Sequence, residues 1–118
     1  MLEFAIPLVP RTKKNSMIRT KNGMIQSAAY RSYEKDCLKI IPNKYRKHID
    51  RPCIVTTVFF MPDRRRVDVS NLISAAHDVL VKAGVMADDD YTHIPKIIAW
   101  HEVDRKNPRT EIRIEVID

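Results

Sequence analysis

Apolar residues in this chain recur with a period of two, or in short continuous runs, at several places, and with helical spacing at two others. Glu3–Val9 reads as a short strand closed by Pro7 and Pro10. Met17–Gln26 reads as a hairpin: MIRT and MIQ flank Lys21-Asn22-Gly23, and Asn-Gly tolerates the positive φ of a type I′ turn. Cys53–Phe60 is β-branched and aromatic throughout, the mark of a buried strand, and Pro62 stops it. Ile97–Val103 is a further strand. Glu111–Ile117 alternates strictly, sending Ile112, Ile114 and Val116 to a core and Glu111, Arg113 and Glu115 to solvent. Asn107-Pro108 turns the chain between these two strands.

Helical spacing appears first at Tyr30, Tyr33, Cys37, Leu38 and Ile41, with Ser27 able to cap the start and Pro42 to end it. Lys44–His48 adds a further turn. A second helix spans roughly Asn71 to Ala83, with Leu72, Ala76, Val79, Leu80 and Ala83 as its apolar stripe. Ser70 is its expected N-cap and Gly84 its expected residue just past the C-terminus. The order β, hairpin, α, β, α, β, β predicts an α+β fold, with two helices packed on one small mixed β-sheet. At 118 residues the whole chain, 1–118, makes one domain.

Composition changes this picture in two ways. Net charge is +6 but unevenly spread: residues 1–60 hold 12 Lys and Arg against 4 Asp and Glu, and residues 61–118 hold 9 against 11. A basic half suits a polyanion, because neutralised phosphates release counterions; an ordinary solvated basic surface fits the charge equally well. Cys37 and Cys53 form no CxxC and no zinc-spaced pairing, so they read as small buried hydrophobes of a reducing compartment. No secretory signal is visible, and no apolar run approaches the roughly 20 residues of a membrane span. A cytoplasmic protein without a membrane partner is expected.

Chemistry concentrates in Met61–Tyr91, MPDRRRVDVSNLISAAHDVLVKAGVMADDDY. Arg64, Arg65 and Arg66 follow a buried strand and directly precede Asp68. Asn71, Ser74 and Asp78 continue along one side of the helix, and Asp88, Asp89 and Asp90 follow its far end. Carboxylates holding Mg²⁺ or Mn²⁺ can activate water and stabilise a leaving oxyanion, and arginines beside them can hold phosphates. The absence of Cys/His clusters argues against zinc. Each signal is weak alone: acidic runs are often solvated loops, and Asp68 can be a helix-start residue favoured by the dipole. Arg11, Lys13, Lys14 and Asn15 form a second candidate phosphate surface. His77 sits among apolar positions and should be packed or half exposed. His93 and His101 are isolated, without a nucleophile partner. Trp100 and most tyrosines belong in the core, and for Tyr91 packing is preferred over stacking on a base.

The same stretch resembles the RusA family of Holliday junction resolvases, small endodeoxyribonucleases of bacteria and phages. The resemblance lies in a strand ending in a basic run, a DxDN-like DVSN, an Ala-rich helix, a K-A-G turn and a D-D pair; PRTKKNS and SYEKD look like members from Gram-positive hosts. It covers about Ile6 to Ile117. It implies a homodimer that binds four-way DNA junctions and makes paired symmetric nicks with Mg²⁺ or Mn²⁺. By position it implies Asp68 and Asp89 as catalytic metal ligands, with Asp88 and Asp90 in support, Asn71 as the motif asparagine, and DNA contacts from Arg64–Arg66 and the loop at Arg11–Asn15.

Two departures stand out. Ser70 replaces the second aspartate of the motif, removing one charged ligand while leaving a hydroxyl. Ser74 stands where the family often has a lysine, and Lys82 or an arginine of the 64–66 run is the alternative cation. The alternative function is a catalytically weak or inactive branched-DNA-binding protein of the same fold. A basic module for RNA or single strands ranks lower, because such modules want exposed aromatics among basic residues on a sheet.

Overall fold

The computed structural model describes residues 1–12, 17–21, 23–26 and 28–117. Cys53–Met61 forms the nine-residue strand β4, because its β-branched and aromatic residues fill both faces of an interior strand. On one side β4 pairs antiparallel with β6, Arg109–Val116, and on the other it pairs parallel with β5, Lys96–Val103. Strand β1, Leu2–Ile6, pairs antiparallel with β6 and gives the sheet order β1-β6-β4-β5. Strands β2, Met17–Thr20, and β3, Gly23–Gln26, pair antiparallel as a separate hairpin, as the sequence predicts. Asn22 of its turn and Ser27, the expected helix cap, lie outside the described residues.

Helices α1, Ala28–Ile40, and α2, Val69–Lys82, pack against each other, and α2 lies on the sheet against β4 and β5. Tyr30, Tyr33 and Cys37 of α1, Val79 and Leu80 of α2, and Val55, Ile112 and Ile114 of the sheet share one core. Phe59, Met61, Leu72 and Ala76 make a second cluster toward the end of β4. Lys82 reaches across to Glu34 at 2.9 Å and joins the two helices at their surface. The chain leaves α2 through Ala83 and Gly84; Gly84 has φ of 75°, which a side chain would resist, so glycine ends the helix as expected. The following segment is held by a bridge between Ile49 and Met86. Among the described residues no helix is long and apolar enough to cross a membrane.

Several sequence expectations need correction. Helix α2 begins at Val69, two residues early, and its N-cap is Asp68, whose carboxylate accepts the Ser70 amide; Ser70 is inside the helix. Aspartate wins because its side chain reaches the amide two residues on. Strand β1 ends at Ile6, before Pro7. Trp100 is 46% exposed, on an edge strand and beside Glu3, Glu111 and Arg113 of the sheet, and Tyr91 is 83% exposed rather than packed. Of the two placements open to His77, the structure has the buried one.

Phe59→Ala should lower the unfolding free energy by about 3–5 kcal/mol, since it empties a fully enclosed site. Tyr91→Ala should stay within about 0.5 kcal/mol of wild type in the same urea titration.

Candidate active site

One set of candidate residues sits where β4 passes into α2. After Met61, Asp63 Oδ1 accepts the Arg65 amide at 2.9 Å, a tight turn that leaves Arg64, Arg65 and Arg66 exposed. Asp68 then starts the helix. Its Oδ1 accepts the Ser70 amide at 3.1 Å and the Ser70 hydroxyl at 2.8 Å. Its backbone carbonyl accepts the amides of Asn71 and Leu72. The three arginines, Asp68, His101 and the apolar Met61, Leu72 and Val103 line a concavity of about 660 Å³. Its rim is cationic, its floor apolar, and one carboxylate stands at the positive end of a helix. His101 enters this site because the β4–β5 register sets it beside Phe59. Only a correct parallel pairing would have found it in the sequence.

A second set lies between α2 and β5. Asp90 Oδ1 accepts the His93 amide at 3.1 Å and the Thr92 hydroxyl at 2.7 Å, and lies 2.6 Å from His93 Nδ1. His93 Nε2 lies 2.7 Å from Asp50 Oδ1. The imidazole therefore bridges two carboxylates. Hydrogen bonds to Asp90 and then Asp50 raise the His93 pKa above its ordinary value, and the bond from His93 leads the causes that lower Asp90 to about 2. One ligand atom each from Asp88, Asp90 and His93 lies within 4.8 Å of the others, a spacing that could hold a metal ion. Asp89 is exposed beside them, and its charge partly offsets the burial that lowers the pKa of His77 on α2. Sequence reading left His93 isolated; its partners are brought by the Asp90–Ile94 turn and by Asp50, 43 residues earlier.

The two sets belong to opposite ends of one crossover. Strands β4 and β5 run parallel, with Ile54 beside Lys96 at one end and Met61 beside Val103 at the other. Asp68 follows the Met61 end. The His93 carbonyl accepts the Cys53 amide at 2.8 Å, which fixes the acidic run at the other. Helix α2 spans the interval with 14 residues, roughly 21 Å at 1.5 Å per residue. Asp68 and Ser70 are thus together, as are Asp88, Asp90 and His93, but one chain's topology separates the two groups. Of the other candidates, Arg11 is exposed, Asn71 is half-buried in the first turn of α2, and Lys82 is engaged by Glu34 at the helix end away from Asp68. Lys13, Lys14 and Asn15 lie outside the described residues.

Residues 7–115 match the family model described as Endodeoxyribonuclease RusA. The chain belongs to the RusA family. Among RusA relatives, the crossover junction endodeoxyribonuclease RusA of Escherichia coli (strain K12) is 34% identical over 91 residues, covering 75% of this chain and 76% of that protein. The protein of the same name from Shigella sonnei (strain Ss046) shows the same identity and coverage. That of Aquifex aeolicus (strain VF5) is 26% identical over 91 residues, covering 75% of this chain and 72% of that protein. The RusA match spans both groups of candidate residues, so the arginine-lined concavity and the acidic segment are both family territory.

A proton NMR titration should place His93 above the ordinary histidine midpoint of about 6.5, and Asp90→Asn should bring it down. The bridge's contribution to stability is full between about pH 4 and pH 6.5; it fades as pH rises through the His93 midpoint and also as pH falls toward the Asp90 midpoint of about 2. The buried His77 runs the other way: its neutral form is favoured, so its contribution is lost as pH falls below about 6.5.

Proposed function

We propose that this chain is a metal-dependent, structure-selective endodeoxyribonuclease that nicks four-way DNA junctions as a homodimer. The observation that carries the reading is the arginine-lined concavity ending in Asp68 and Ser70, on a chain whose relatives are named crossover junction endodeoxyribonucleases. Arg64, Arg65 and Arg66 would grip phosphates on either side of the cut, since a guanidinium presents a fork matched to two phosphate oxygens. The apolar floor supports that rim without competing for the anion.

The donor set fits a hard divalent cation. Asp68 supplies a carboxylate with the Ser70 hydroxyl beside it, and Asp88, Asp89 and Asp90 supply more, with His93 as a nitrogen neighbour. Oxygen donors suit Mg²⁺, and the imidazole makes Mn²⁺ an equal candidate. Bound there, such an ion would supply a water of lowered pKa and positive charge against the leaving oxygen. The protein's own part is to hold the phosphate, to place carboxylates against the attacking water, and to keep that water from drifting.

Asp68 follows the Met61 end of β4, whereas His93 is tied to the Cys53 end, and the cluster of Asp88, Asp90 and His93 does not include Asp68. A second copy related by a two-fold axis supplies what each lacks: Asp68 of one subunit facing Asp89 of the other. The same symmetry gives two equivalent sites for the two cuts that resolve a junction. Action in the cytoplasm of a bacterial or phage-infected cell accords with this substrate. The replacement of an aspartate by Ser70 favours one second reading, a junction-binding protein with weak or no cleavage.

Two experiments test these readings. Asp68→Asn and Asp89→Asn should each lose at least ~100-fold of the metal-dependent nicking of a synthetic four-way junction. Mixing the two variants should restore single nicks, because a heterodimer then holds one intact shared site. No restoration would mean that each site lies within one subunit. Tight junction binding by wild type with no product in Mg²⁺ or Mn²⁺ would leave the binding-only reading. In the second experiment, each Arg→Ala change at 64, 65 or 66 should weaken junction binding several-fold. Each should also make the plot of log affinity against log salt shallower, by about 1 in slope for every phosphate that the variant no longer neutralises.

A further inference from the structure

The connection from β5 to β6 does not join neighbours. In the sheet order β1-β6-β4-β5, strand β4 lies between them. Residues 104–108 must therefore cross the end of β4, a span of two strand spacings or roughly 10 Å. They cross at the Met61 end, since Met61 pairs with Val103 and Phe60 with Arg109. The Asp104 amide donates to the Met61 carbonyl at 2.8 Å and ties the crossing to the strand end. From that same strand end the chain departs through Asp63 into Arg64, Arg65 and Arg66. Met61 and Val103 both line the arginine-rimmed concavity, so the crossing borders it.

Two cations ride on this crossing. Arg105 and Lys106 are exposed, and among the described residues neither side chain enters an ion pair. Arg109, at the start of β6, is engaged inward instead. Its guanidinium donates to Asp104 Oδ2 at 3.0 Å, to Glu111 Oε2 at 2.8 Å and to the Asn107 carbonyl at 2.9 Å, and it lies 3.8 Å over the Phe60 ring. Asp104 Oδ1 accepts the Lys106 amide at 3.2 Å and the Asn107 amide at 3.1 Å. One arginine thus braces the crossing while the two cations beside it are held out to solvent. They repel the arginines of the neighbouring turn, and a polyanion relieves that repulsion. A braced turn also has little order left to lose on binding. We infer that residues 104–108 form a phosphate clamp: Arg105 and Lys106 grip DNA backbone phosphates beside those held by the arginine turn, with Asp104 and Arg109 as the positioning residues. The clamp rests on the nuclease reading proposed above and carries its anion-binding surface from one loop to two. Phosphate contacts fix register and orientation rather than sequence, so the clamp sets how the backbone lies across the concavity.

The test is equilibrium binding of the full chain to a fluorescent synthetic four-way junction across a salt series, with divalent metal chelated so that nothing is cut. Arg105→Ala and Lys106→Ala should each weaken binding several-fold and make the plot of log affinity against log salt shallower by about 1. Lys47→Ala, at an exposed lysine ahead of β4, should leave that slope within about 0.3 of wild type. Asp104→Ala removes a negative charge, so charge alone would tighten binding to a polyanion. As the loss of a positioning residue it should instead weaken binding about threefold, and it should have no further effect once positions 105 and 106 are both alanine. Circular dichroism checks that each variant is folded. Slopes for the Arg105 and Lys106 variants no different from that of Lys47→Ala overturn the clamp; the nuclease reading then stands if the changes at 64–66 still lower the slope. No change of slope from any of these variants removes the DNA-binding reading and the clamp together. Tighter binding by Asp104→Ala overturns its positioning role.

Discussion

The parallel pairing of β4 with β5 is the constraint on which everything else rests. Parallel neighbours cannot be joined by a tight turn; the chain must travel the whole length of the strand and return. Helix α2 is that return path, and its buried face is what closes the core over β4. The crossover therefore fixes three things together: the helix start beside the strand end, the arginine turn above it, and the acidic segment at the far end. None of these can move without the others. The Cys53 amide held by the His93 carbonyl and the Met86 bridge to Ile49 secure the far end, so the acidic run is carried on a supported loop.

Electrostatics at the two ends is organised by different means. At the start of α2 the helix itself supplies positive potential, and Asp68 answers it while fixing Ser70. At the other end His93 shares its two nitrogens between Asp90 and Asp50 and moderates an otherwise repulsive cluster. A comparable arrangement occupies the turn between β5 and β6. There Asp104 accepts the amides of Lys106 and Asn107 and pairs with Arg109, whose guanidinium lies 3.8 Å over the Phe60 ring. Burial does the opposite at the two cysteines, whose thiols are pushed up in pKa by desolvation, Cys37 to about 11.

Much of this was legible in the chain before any coordinates. The alternation of Ile112 and Ile114 with charged neighbours, the helical spacing of Tyr30, Tyr33 and Cys37, and Gly84 past the second helix all report local constraints. Local constraints are what a linear sequence encodes directly. What stayed hidden depends on pairing between distant segments. Trp100 looks like a core residue in sequence; only the sheet order reveals that its strand has a neighbour on one side alone. His93 has no partner within reach in sequence except Asp90, and Asp50 arrives only through the fold. The cap at Asp68 was a choice between two competent residues two positions apart, decided by backbone angles that composition does not specify. The arginine run and the acidic run were both visible, but their placement at opposite ends of a crossover was not, because that follows from strand direction.

The Asp68 cap has a practical corollary. Asparagine caps a helix about as well as aspartate does, whereas alanine does not. An asparagine at position 68 would therefore remove the negative charge and still hold the Ser70 amide and the first turn of α2. The mouth of the arginine-lined hollow would keep its shape while losing the carboxylate proposed above as a metal ligand. Such a protein would be a substrate trap, suited to capturing a DNA complex intact for structural study.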